Sequence, residues 1–162
     1  MTAFDVISLY YGDKTTERSG VLLINHINEG LKVLSGIGAS KLTKDAYCLH
    51  PILQSDEDFN KNKQGVIPDQ LIDAAILAME YRRVANSYLS NDVISSFVGF
   101  SCEEVKQMLI ADKTQNYKDF LLYHVNTHQR SAELTKYFNN WFRLLGVSYV
   151  EMLGHIKFGS IS

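Results

Sequence analysis

The chain has 162 residues, 46% of them hydrophobic and 21% charged, which is the composition of a globular protein and excludes general disorder. Sixteen basic residues against 18 acidic ones give a net charge of -2, so we expect no general affinity for nucleic acid. The length predicts one domain over residues 1–162, and no apolar run approaches the roughly 18 residues that a membrane span needs. With only two cysteines, we expect a cytoplasmic protein without disulfides. These properties leave the oligomeric state open.

The first third of the chain predicts short helices. Residues 4–11 are apolar and fit either a helix or a strand. A helical stripe then begins near residue 23 and stops at Gly36; its members are Ile24, Ile27, Leu31 and Leu34. A second stripe covers residues 42–53, where Ser40 or Thr43 is the expected N-cap.

The rest of the chain adds longer helical patterns. Residues 55–66 are polar and predict a surface loop, with a helix beginning near Pro68 and covering residues 71–89. Residues 93–100 are apolar and irregular.

Two further helices are predicted towards the C-terminal end. Ser101 and Glu104 have the spacing of a capping box that opens a helix to about residue 111, and residues 116–125 continue it. The last clear helix covers residues 131–145 and stops at Gly146. The fold prediction is therefore all-α, with six or seven helices.

Three distant side chains offer metal-ligating chemistry. His26, His50 and Asp112 each lie beside an apolar run on a predicted helix. Two imidazoles and one carboxylate are a plausible ligand set for a divalent metal ion, Mn²⁺ or similar. The alternative for each residue alone is structural, as a buried histidine with satisfied hydrogen bonds or as an aspartate at a helix cap.

Three motifs in the chain resemble those of the HD superfamily of phosphohydrolases, and within it the alarmone hydrolases of the RelA/SpoT type. They are ERSG at 17–20 running into LINH at 23–26, CLHPILQS at 48–55, and ADKTQN at 111–116. The resemblance implies an HD-like helical bundle with His26, His50 and Asp112 as metal ligands. It also implies a phosphorylated signalling nucleotide as ligand, with Asn116 as a contact to the nucleotide or to a neighbouring helix. The chain further resembles small proteins encoded by tailed phages, which implies action in the host cytoplasm.

The second motif departs from the family pattern at the positions that supply the family's metal ligand and water-activating acids. Pro51 replaces the defining aspartate, and Gln54 and Ser55 replace the acidic pair that activates water. The family's loop arginine aligns with Glu17, one place before Arg18. A proline inside a helix removes a backbone hydrogen bond, so we expect a kink just after His50.

These losses favour binding over turnover. A glutamine at position 54 cannot accept a proton at neutral pH, and loss of a general base costs about 10²–10⁴-fold in rate. The leading hypothesis is binding and sequestration of a phosphorylated nucleotide in a degenerate HD-type pocket. A metal-dependent phosphohydrolase with a rearranged ligand set is the alternative, with catalytic roles for Gln54, Asp56 and Glu57 only in that case. A non-catalytic protein-interaction module is the third hypothesis.

Several basic and polar side chains are further candidates for contact with a phosphate group. The predicted ligand-binding set is Arg18, His26, His50, Arg82, Arg83, Lys113, Asn116, Arg130 and Ser131. Arg130 and Ser131 precede the last predicted helix, whose first N–H groups are available to an anion. The alternative for each arginine is an exposed ion pair on its own helix.

Overall fold

The computed structural model describes residues 1–62, 66–87 and 99–158. Over these ranges the chain forms a bundle of eight α-helices, and a single antiparallel bridge between Thr15 and Leu22 is the only β-pairing. The helices are α1 (Ala3–Tyr11), α2 (Ile24–Gly36), α3 (Lys41–Leu49), α4 (Asp56–Asn62), α5 (Ile72–Asn86), α6 (Glu103–Asp119), α7 (Ser131–Leu145) and α8 (Tyr149–Phe158). The all-α prediction is confirmed. None of the described helices combines the length and the apolarity needed to cross a membrane.

Several helix ends follow the sequence closely. Ser40 is the N-cap of α3, because its hydroxyl accepts a hydrogen bond from the Thr43 N–H at 3.2 Å. The left-handed Gly146, with φ of 69°, ends α7 as predicted. Residues 4–11, which fit a helix or a strand, lie in α1, where the N-cap Thr2 forms a capping box with Asp5.

Two predicted features of the second quarter are wrong. Residues 56–62 form α4 instead of a loop, because the Ser55 hydroxyl accepts from the Asp58 N–H at 3.0 Å and acidic residues occupy the first turn. Pro51 does not kink a continuous helix. The helix α3 ends at Leu49, and Pro51 lies near the start of a 3₁₀ turn over His50–Leu53, where its missing N–H breaks no helical bond.

The predicted capping box before α6 is also wrong. The N-cap of α6 is Cys102, which makes no side-chain capping bond, and Ser101 hydrogen-bonds to Glu80 instead. The helix α6 runs without interruption to Asp119. It therefore includes residues 112–115, which lie between the two helical segments predicted from the sequence. The eighth helix, α8, was not predicted. Residues 88–98 lie outside the described ranges, and they include the end of the helix predicted over residues 71–89 and most of the apolar segment 93–100.

The main core lies where α2, α3, α5 and α6 meet. Fully buried side chains from each of these helices fill it, among them Leu34, Leu49, Val84 and Met108, and Trp141 of α7 joins them. A smaller aromatic cluster of Phe120, Phe138 and Phe142 joins the end of α6 to α7. Because α2 and α3 both pack on α6, residues at the ends of α2 and α3 are brought to the middle of α6.

Candidate metal-binding site

The bundle brings the three predicted metal ligands together. His26 lies in the first turn of α2, His50 directly follows α3, and Asp112 lies in the middle of α6. His26 Nε2 is 3.3 Å from Asp112 Oδ1, His50 Nε2 is 3.7 Å from the same oxygen, and the two Nε2 atoms are 3.4 Å apart. The three side chains can therefore offer their ligand atoms to one point.

The spacing of these atoms suits one divalent ion. Ligand atoms about 2.0–2.2 Å from Zn²⁺ or a similar ion, at tetrahedral angles, lie about 3.3–3.6 Å from one another. The three observed separations, 3.3, 3.4 and 3.7 Å, are close to this range. Three protein ligands leave further coordination positions for water or a ligand oxygen. The group could hold a metal ion.

One hydrogen bond on the far side of His50 fixes its orientation. His50 Nδ1 lies 2.5 Å from the backbone carbonyl oxygen of Tyr47. A carbonyl only accepts, so Nδ1 carries the hydrogen and the neutral ring presents the Nε2 lone pair to Asp112. The Tyr47 hydroxyl also lies 3.3 Å from His26 Nε2, so this buried tyrosine packs against both imidazoles.

Asp112 divides its two oxygens between the histidines and a lysine. Its Oδ2 lies 3.0 Å from Lys113 Nζ, and its Oδ1 faces the imidazoles. The Lys113 ammonium lies over the rings of Trp141 and Tyr137, at 5.2 and 5.6 Å from their centroids. This buried positive charge holds the carboxylate in place and weakens the attraction of the site for a cation.

The electrostatics of the group follow from this arrangement. Burial raises the pKa of Asp112, but the charges of Lys113 and the two histidines outweigh it and hold that pKa well below its usual range. Burial lowers the pKa of His26, yet the hydrogen bond and charge of Asp112 raise it more, to a net value above the ordinary one. Burial and the neighbouring charge of His26 lower the pKa of His50 to about 4.

The three side chains lie in the wall of a cleft of about 420 Å³. Of the other predicted site residues, the cleft is lined by Gln54, Arg82, Lys113 and Asn116. Sequence reasoning missed Gln115 and Asp119 of α6, and the tyrosines at positions 11, 81 and 137, which also line it. A signal for the first two was present, because positions 112, 115, 116 and 119 repeat at three and four residues and share one helix face.

Other predicted residues do not line this cleft. Arg83 pairs with Glu80 at 2.7 Å, and Arg130 pairs with Glu133, each within its own helix or cap. The Ser131 hydroxyl accepts from the Asn126 N–H at 2.8 Å. The remaining three are Arg18, Asp56 and Glu57, of which Asp56 pairs with Arg82 at 2.6 Å.

The cleft contains little that could accept a proton from water. Among the described lining residues, the carboxylates are Asp112 and Asp119. The first is engaged by the histidines and Lys113, and the second by Gln115 and Lys118. Gln54 also lines the cleft, and an amide cannot act as a base at neutral pH.

Comparison of the chain with protein-family models, with curated proteins and with solved structures gave no significant match.

Proposed function

We propose that the protein binds a phosphorylated nucleotide in this cleft, through a divalent ion on His26, His50 and Asp112, and keeps it without efficient hydrolysis. The observation that carries the proposal is the convergence of these three side chains, distant in sequence, on one point of a concave site. The same convergence supports membership of the HD superfamily, which remains part of the proposal.

The charges around the cleft favour an anionic ligand. Arg82 lines the cleft with its side chain only 18% exposed, whereas its partner Asp56 is 89% exposed. An exposed ion pair contributes little stability, so a phosphate can replace Asp56 on the guanidinium at small cost. The positive charge of a bound divalent ion, Lys113 and Arg82 together would exceed the negative charge of Asp112 and Asp119, the two carboxylates among the described lining residues.

The proposal of binding without turnover depends on the missing proton acceptor. A metal-bound water still needs a base or a positioning carboxylate to attack phosphorus. Both described carboxylates of the cleft are engaged by other side chains, so we expect a ligand to be held intact.

The open coordination positions favour a second candidate, a slow metal-dependent phosphohydrolase. Its activity would use the metal-bound water alone, or Asp56 after rotation away from Arg82. Multiple turnovers of any nucleotide would establish this candidate and refute simple capture.

The test begins with the molecules that copurify with the protein. Mass spectrometry after denaturation should identify a phosphorylated nucleotide in near-stoichiometric amount, and calorimetry should then measure its affinity with and without Mn²⁺. Asp112→Asn should abolish the part of the nucleotide affinity that depends on Mn²⁺. The control Asp73→Asn, which changes an exposed aspartate on α5, should leave that part unchanged. Failure of every nucleotide to bind would leave the protein-interaction module as the remaining hypothesis.

Two neighbouring arginines provide a matched pair for the phosphate contact. Arg82→Met should weaken nucleotide binding about 10–100-fold, the value of a charged hydrogen bond. Arg83→Met should have no effect, because Arg83 pairs with Glu80 outside this cleft. Equal effects of both substitutions would refute the assignment of Arg82 as the phosphate contact.

A further inference from the structure

A buried hydrogen-bond chain lies on the side of His26 that faces away from Asp112. Gln115 is 1% exposed, and its Oε1 lies 2.5 Å from His26 Nδ1. Its Nε2 lies 2.7 Å from Asp119 Oδ2 and 3.5 Å from Glu29 Oε1. Both ends of this amide are therefore engaged, one by an imidazole and the other by carboxylates.

The chemistry of the partners fixes the direction of every bond in this chain. The oxygen and nitrogen of an amide are not distinguished by shape, but an ionised carboxylate can only accept hydrogen bonds. The Gln115 NH₂ group must therefore face Asp119, and the Gln115 oxygen must face His26. That oxygen accepts a hydrogen bond only if His26 Nδ1 carries the hydrogen.

The two carboxylates are themselves held in place. Lys118 Nζ lies 2.5 Å from Glu29 Oε1 and 2.8 Å from Asp119 Oδ1. Asn25 Nδ2 also donates to Glu29 Oε1. The acceptors that orient the amide are thus anchored by a lysine six residues after Asp112 on α6 and by Asn25 in the first turn of α2.

We propose that Gln115, oriented by Asp119, is a positioning residue that holds His26 in the Nδ1–H tautomer with Nε2 facing the cleft. With the opposite tautomer, the ring would direct an N–H at Asp112 and would have no lone pair for a metal. Partners of this kind commonly set the orientation of a metal-binding histidine and its affinity. The inference concerns the site of the proposed function, on which its importance rests, but its test needs no ligand.

The direct test is the tautomer of His26 in metal-free protein. Long-range ¹H–¹⁵N correlation spectra, recorded at a pH high enough that the ¹⁵N shifts of His26 are those of a neutral ring, distinguish the two neutral forms. We expect Nδ1–H in the wild-type protein, a change to Nε2–H or a mixture in Gln115→Met, and a return to Nδ1–H in Gln115→Glu, which keeps an acceptor. Gln107→Met, the same substitution earlier on α6, is the control and should leave the spectrum unchanged.

Other outcomes would overturn the inference. An Nε2–H form in the wild-type protein, or an unchanged tautomer in Gln115→Met, is incompatible with it. If Gln115→Met does not fold, the wild-type spectrum and Asp119→Leu decide, because Asp119 is part-exposed and its loss removes the shorter of the two carboxylate contacts that hold the amide. In that variant an unchanged tautomer would refute the role of Asp119.

Co²⁺ titration separates this inference from the proposed function. We expect Gln115→Met to bind Co²⁺ about 10–100-fold more weakly than the wild-type protein and Gln107→Met to bind it equally well. Equal affinity in Gln115→Met would refute the effect on the metal. A wild-type protein that binds no Co²⁺ but has the Nδ1–H tautomer would contradict the proposed metal site and support the positioning role of Gln115.

Discussion

Acid should destabilise the metal-free protein through His50. This imidazole is 5% exposed, and burial together with the charge of His26 lowers its pKa from 6.5 to about 4. The unfolded chain then binds a proton that the folded chain excludes, so the free energy of unfolding falls as the pH decreases from about 6.5 to about 4. At about 1.4 kcal/mol for each tenfold change in proton affinity, the full loss is about 3 kcal/mol, of which about 2 kcal/mol appears by pH 5.

His26 acts in the opposite direction. Its raised pKa gives stability that is fully present below about pH 6.5 and is lost as the pH rises through its folded-state pKa. The net pH dependence of the wild-type protein therefore underestimates the effect of His50. A comparison with His50→Gln, which does not titrate and can still donate to the Tyr47 carbonyl, isolates it.

Urea unfolding at pH 7 and pH 5, with a chelator present, is the measurement. The wild-type protein should lose about 2 kcal/mol more than His50→Gln between these pH values. His124→Gln, which removes a histidine outside the cleft, should match the wild-type protein. Equal losses in the wild-type protein and His50→Gln would refute the reasoning, since they would mean that His50 titrates alike in the folded and unfolded chains.

Three further predictions follow from individual contacts. Gly30→Ala would place a Cβ inside the contact distance of the buried Tyr47 ring. We therefore expect the free energy of unfolding in urea to fall by about 1–3 kcal/mol, as for an overpacked core, and Co²⁺ to bind more weakly. Gly154→Ala has open space on α8 and should instead stabilise by about 0.4–1 kcal/mol; equal effects would contradict the close approach at Gly30. Ser40→Ala should lower the free energy of unfolding by about 1 kcal/mol because it removes the N-cap of α3. Ser40→Asp should keep most of the stability that the cap provides, since aspartate also caps helices, and thermal unfolding can check both. Co²⁺ affinity should rise with increasing pH, because the ion must displace a proton from His26, whose pKa is raised by Asp112, and a flat profile would exclude His26 as a ligand.

The sequence was sufficient where the determining interactions are local. The apolar repeat of α2, the apolar stripe of α7 and the left-handed Gly146 each depend on residues within a few turns, and all three appear as predicted. The same is true of the all-α fold, because the sequence has apolar repeats at helical spacing and no convincing alternation of apolar and polar residues, which would predict strands. The choice of Ser40 over Thr43 as the cap of α3 needed the structure, since both have the required hydroxyl.

Local signals failed where alternatives of similar energy compete. The polar residues 56–62 could form a loop or a helix, and the Ser55 cap with three acidic residues in the first turn accompanies the helix. The Ser101–Glu104 spacing matched a capping box, but Ser101 bonds to Glu80 on another helix. Differences of about 1 kcal/mol decide such cases, and contacts distant in sequence contribute that much.

The identities of the metal-site candidates came from the sequence, and their meeting came from the packing of the helices. His26, His50 and Asp112 carry suitable ligand atoms wherever they lie, but only the contacts of α2 and α3 with α6 bring those atoms within 4.8 Å of one another. The same packing turns Gln115 towards His26 and leaves Arg130 on its own helix. Side-chain chemistry is a property of the residue, whereas the distance between two side chains is a property of the folded core between them.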